Sequence, residues 1–277
     1  MTKLNQRGDL NAAALAIFTP LFIGASYTLY LHGFKKAQGY IYVILFTLVK
    51  LVGAAMSIDV QINHNAALYT PAAILSTVVL SPLLLATASL VNAKSVLSVS
   101  DQEFAKHALP ELTVSNRSQT DKAVSNGSRF ARPSISRLTQ LMIIVSLSLG
   151  IVGGLDAFAT VATNISTGQL YLRIAAGFSV GAWVLICVSL AGNWNKRQYM
   201  DGLSQALYPI IAGVVLPLLA VRLVYTCGIA ITIDTTMTQV FNALTGSWVL
   251  YLCIAWLPEI FIGAAFVAVG VTATRTK

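Results

Sequence analysis

Four ionisable residues interrupt long apolar runs: Lys50, Asp156, Arg222 and Glu259. A charge deep in a bilayer is expensive, so such residues face a bundle interior or a wet cavity and mark ion pairs, proton relays or binding sites. Lys50 stands near the middle of its run. Its helical neighbours Gly53, Ala54 and Ser57 form a small-residue face suited to close packing, which turns the ammonium inward. Asp156 lies further along its run, after Gly150, Gly153 and Gly154, and Arg222 has Tyr225 one turn on. Glu259 lies near the middle of the last run, between Trp256 and Gly263. Its neighbour Pro258 has no N–H, which leaves a carbonyl one turn earlier without its usual donor. Asp59, Arg173 and Asp234 stand at run ends. These depths read as a polar cavity open toward one face of a membrane, with Lys50 and Glu259 innermost.

Two roles fit this pattern. A carboxylic acid in an apolar cavity can keep its proton at neutral pH and donate it. On that reading Glu259 and Asp156 are the acids. Lys50, Arg222, Tyr225, Trp256 and Asp59 are then substrate-binding groups or charge partners. The plainer role is packing, through buried ion pairs such as Glu259–Arg222 or Glu259–Lys50. No metal site and no cofactor are expected. Cys187, Cys227 and Cys253 lie in apolar runs without ligand spacing, and His32, His64 and His107 are scattered.

The elements that must position these residues are transmembrane helices. The chain has 277 residues, of which 56% are hydrophobic and only 10% charged, with a mean hydropathy of +0.73. Soluble domains carry about 25% charged residues, so this chain cannot cover a water-facing surface. A helix needs about 20 apolar residues to span the hydrocarbon, and seven such runs occur, at about 10–31, 40–62, 67–91, 138–160, 170–191, 206–230 and 248–272. Backbone polar groups in lipid must be satisfied within each helix, which excludes open sheets. The expectation is an all-α, seven-helix membrane bundle forming one domain.

The net charge of +8 implies a membrane orientation rather than a nucleic-acid partner. Only Lys3 and Arg7 fall on the side of the N-terminus, against 13 basic residues on the other. The latter include Lys35, Lys36, Lys196, Arg197, Arg275, Lys277 and seven in the polar stretch 92–137. The positive-inside rule then places the N-terminus outside and the C-terminus in the cytosol. The stretch 92–137 becomes a flexible cytosolic loop, and its sequons at Asn116 and Asn126 should stay unmodified. The first run exceeds a signal-peptide core and is expected to be an uncleaved anchor.

Several stretches in order along the chain carry a resemblance: GYIYVILFTLVKLVGAAMSI (39–58), LYTPAAILSTVVLSPLLLAT (68–87), RLVYT (222–226), LTGSW (244–248) and LPEIFIGAAFVAVG (257–270). Together they resemble a fungal family of seven-span integral membrane proteins, most without assigned activity. The resemblance extends to membrane-bound terpene cyclases of meroterpenoid (secondary-metabolite) pathways. It implies an isomerase- or lyase-type enzyme of a multi-pass membrane, the endoplasmic reticulum before the plasma membrane. Intramembrane acids, here Asp156 and Glu259, would protonate an epoxide on a lipophilic, prenylated aromatic substrate and so trigger ring closure. No aspartate-rich DDxxD pattern is present for a metal-bound diphosphate. The alternative is a lipid or small-molecule exporter or resistance protein of the seven-span type. A retinal protein is disfavoured by the lack of lysine in the seventh run, and a G-protein-coupled receptor by the lack of DRY-like and NPxxY motifs.

Overall fold

The computed structural model describes residues 6–33, 38–63, 68–91, 132–157, 162–194, 202–232 and 247–275. Among the described residues the chain is almost wholly helical, without strands, and seven helices are long and apolar enough to cross a membrane. They are α1 (Gln6–His32), α2 (Gln38–Asn63), α3 (spanning part Thr70–Val91), α4 (Arg132–Ala157), α5 (Ala162–Asn193), α6 and α7. The last two are composite. A π-helical turn, Ile211–Val215, joins Gly202–Ile210 to Leu216–Thr232 in α6. A second, Tyr251–Trp256, joins Trp248–Leu250 to Leu257–Arg275 in α7.

Local sequence explains several boundaries. α1 stops at Gly33, whose positive φ of 74° lets its N–H close back onto the Leu29 carbonyl. α4 begins at Arg132, with Pro133 in the first turn where a missing N–H costs nothing. Residues 132–137 are therefore helical rather than part of the loop expected over 92–137. The rest of that stretch, with Asn116 and Asn126, lies outside the described residues, as does Asp234.

Neighbouring helices in sequence pack side by side, and α7 closes the ring against α1 and α6. α3 is the inner helix, buried on every side from Val79 to Val91. An all-round apolar sequence such as LSPLLLATASLV suits that place. The outer helices turn Ile23, Leu141, Val224, Ile231 and Phe261 outward, where lipid rather than water would solvate them. Two tyrosines tie the interior across helices: Tyr40 Oη donates to the Phe266 carbonyl at 3.0 Å, and Tyr208 Oη to that of Val91 at 3.1 Å.

A buried cation–carboxylate–cation cluster

Lys50, Arg222 and Glu259 lie near the middle of the spans Gly39–Asn63, Leu207–Thr232 and Trp248–Thr272, and they meet inside the bundle. Their relative exposures are 7%, 1% and 0%. Arg222 Nε donates to Glu259 Oε1 at 2.7 Å, while Lys50 Nζ pairs with Glu259 Oε2. One carboxylate thus bridges two cations from two other helices. Both pairings left open by the sequence occur at once, and the cluster carries one formal positive charge in excess.

Each cation has an aromatic and a polar setting. The Arg222 guanidinium lies 5.2 Å from the Tyr225 ring centroid, and its Nη1 donates to Thr226 Oγ1 at 3.3 Å. Tyr225 tilts against Tyr251, with centroids 6.1 Å apart. Lys50 Nζ lies 6.0 Å from the Phe18 ring, which packs edge-on against Phe46. Weakly hydrated guanidinium over an aromatic face is a favourable way to hold a cation out of water.

The helix irregularity beside Glu259 has a local cause. Pro258 cannot donate a backbone N–H, and the widened turn Tyr251–Trp256 immediately precedes it, with the Leu257 N–H reaching back to the Leu252 carbonyl. Ordinary α-helix resumes at Leu257, which sets the direction of Glu259. In α6 the residue after the other π turn is likewise engaged: Trp183 Nε1 of α5 donates to the Leu216 carbonyl at 3.2 Å.

A small cleft of about 30 Å³ opens beside Lys50. Its walls include Gly53, Ala54 and Ser57 on α2, with Asn11, Tyr251 and Trp256 from α1 and α7. These lie at the start of α1 and α7 and the end of α2, so the cleft faces the end of the bundle that carries the N-terminus. A cavity of this size is large enough to hold a water molecule, which needs about 10–15 Å³ by the same measure. The cleft has room for a small polar head group.

The other expected site residues fall elsewhere. Asp156 is half-buried near the end of α4, beside the close approach of α4 to α5, and is outside the cluster. Asp59 lies further along α2 than Lys50 and accepts a hydrogen bond from Asn63 Nδ2. Arg173 Nε donates to the Ala230 carbonyl at 3.1 Å, tying α5 to the end of α6. Among the described residues no group of three His, Cys, Asp or Glu side chains could hold a metal ion. Sequence reasoning missed Phe18, Asn11, Thr226 and Tyr251. Thr226 had a signal, its i+4 spacing from Arg222; the others come from helices whose lateral placement no spacing reveals.

The family model described as a domain of unknown function (DUF7702) matches residues 4–114 and 108–276. No curated protein and no solved structure matches the chain. Matched over nearly its whole length, the chain belongs to the DUF7702 family.

Proposed function

We propose that the protein is a membrane-bound terpene cyclase that closes a ring on an epoxidised, prenylated aromatic (meroterpenoid) intermediate. The observation supporting this reading is the cluster itself: an acid–base pair, Lys50 and Glu259, buried at mid-depth beside a cleft. In the reaction, the pair protonates the epoxide oxygen and a C–O bond breaks with its electrons going to oxygen. An alkene of the prenyl chain then attacks the carbon released, forming the ring. The final carbocation returns a proton, so substrate and product are isomers. In this scheme Lys50 passes the proton of the pair to the epoxide, Glu259 is the acid–base partner that reloads it, and Arg222 and Tyr225 hold the carboxylate in place. Aromatic faces such as Tyr251 and Trp256 are suited to stabilise positive charge on the chain.

The reading includes an N-terminus outside, a cytosolic C-terminus, and residence in the endoplasmic reticulum. The cytosolic excess of Lys and Arg supports that orientation. Cysteine labelling on sealed microsomes tests it, since protection of 92–137 would reverse the topology. The activity is tested by expressing the chain in a host fed an epoxy-farnesyl aromatic compound. A cyclised isomer absent from the empty-vector control is expected, and its absence at full expression rejects the assignment.

One observation favours a second reading, the lipid or small-molecule exporter. Glu259 clamps α2 and α6 to α7 over a cleft too small for a lipid, as a transporter closed around its own gate would. Cells lacking the protein would then retain a toxic lipid that cells carrying it expel, with the compound chemically unchanged.

A further inference from the structure

The cluster of Lys50, Arg222 and Glu259 reaches the cleft through Lys50. Lys50 and Arg222 share the single carboxylate of Glu259, which leaves one formal positive charge in excess. Among the described residues the walls of the cleft contain no acidic side chain. Lys50 stands at the boundary: it is part of the cluster and also of the cleft wall, and it is the least enclosed of the three charged groups. Trp256 lines the same cleft, is 7% exposed, and its buried indole Nε1–H has no acceptor among the described residues. A buried N–H without a partner is uncommon in proteins and points to a water or ligand group that takes the bond. Ser57 lines the same cleft, where its hydroxyl donates to the Gly53 carbonyl at 2.8 Å and does not accept from Trp256. The missing chemical complement is therefore an anionic, two-acceptor group of about the size the cleft holds.

We infer that the Lys50 cleft binds the carboxylate head group of an amphiphile, with Lys50 Nζ and Trp256 Nε1 as its two donors. A carboxylate supplies two acceptor oxygens and neutralises the excess charge of the cluster. Its hydrocarbon tail stays outside the head-group space, because about 30 Å³ cannot enclose it. The inference deepens the cyclase reading, since the same donors would hold a substrate's reacting oxygen and a carboxylate amphiphile would compete for them. It rests on that reading only in assuming that ligands enter the cleft.

The test measures binding without turnover, on the full chain in phosphatidylcholine nanodiscs. The thermal midpoint is followed against dodecanoate, methyl dodecanoate and acetate. Dodecanoate should raise the midpoint saturably, and methyl dodecanoate, which has lost the charge, should bind at least tenfold more weakly. Acetate competing with dodecanoate would identify free carboxylates as ligands, whereas no competition would assign the site to bilayer amphiphiles. Lys50→Met should weaken dodecanoate by more than tenfold, and Trp256→Phe, which keeps an aromatic ring and removes the N–H, by about tenfold. If Lys50→Met is poorly folded, Trp256→Phe carries the test alone. Unchanged dodecanoate affinity in Trp256→Phe, or equal binding of acid and ester, would overturn the inference. Binding without any cyclised product would reject the cyclase and leave this site standing. Product without dodecanoate binding would do the reverse.

Discussion

Where α4 meets α5 the helices touch backbone to backbone; where α2, α6 and α7 meet, three ionisable side chains fill the space. At the first seam a Cβ on Gly153 would stand 2.9 Å from the Gly168 carbonyl oxygen. One on Gly168 would stand 2.8 Å from the Gly153 carbonyl oxygen. Ser146 Oγ adds a bond to the Ala175 carbonyl at 2.8 Å and shares a 2.7 Å contact with Ser179 Oγ. Small residues and modest hydroxyl bonds of this kind are the ordinary means of joining helices in lipid. At the second seam Arg222, Glu259 and Lys50 carry a heavy desolvation penalty. The α4–α5 seam shows that this bundle joins helices without charge. The charged seam is therefore not a requirement of joining helices as such, and it is where the proposed chemistry is placed.

The largest effect expected is at Glu259. Glu259→Gln preserves size, removes the carboxylate of the proton-carrying pair and leaves two cations facing an amide. Product per folded protein should fall by about 10²–10⁴, the usual contribution of a general acid. Stability should fall by about 3–5 kcal/mol, because the cations lose their counter-charge, and detergent-melt midpoints would show it. Lys50→Met separates the two roles. It removes the excess charge and leaves the Arg222–Glu259 pair intact, so the melting midpoint should hold or rise while product is lost. A coordinated loss of stability and activity would make Lys50 a packing residue.

At the uncharged seam the expected pattern is opposite. Gly168→Val drives side-chain carbon into the backbone of α4, and overpacking of this kind costs about 1–3 kcal/mol or more. Folded protein should decrease, with activity per folded molecule unchanged. Ser146→Ala should cost about 0.6 kcal/mol, the mean for hydrogen bonds between transmembrane helices, and leave activity intact. The smallest effect expected is none: washing membranes with a chelator should not change product yield. A loss restored by Mg²⁺ would reject an acid-only mechanism.

Much of this comparison was legible in the sequence. All seven spans occur within a few residues of their expected limits, because length and apolarity alone define them. Lys50 and Glu259 had matching central depths, Arg222 was read as further out, and the expected small face of α2 lines the cleft. Depth along a helix says nothing of position around the bundle. Asp156, with a depth similar to Arg222, therefore looked equally eligible yet stands beside α5. The π turns were hidden for another reason. One extra residue in a turn rotates everything after it by about 100°, so regular spacing misplaces Tyr251 relative to Glu259. Pro258 was the visible trace of that irregularity.

The most direct test of the central claim compares wild type with Glu259→Gln at matched levels in microsomes supplied with the epoxy-farnesyl aromatic compound. Near-complete loss of the cyclised isomer in Glu259→Gln is expected, with Asp156→Asn retaining activity because Asp156 lies outside the cluster. Normal cyclisation by Glu259→Gln would contradict the account, and loss in Asp156→Asn alone would move the acid to α4.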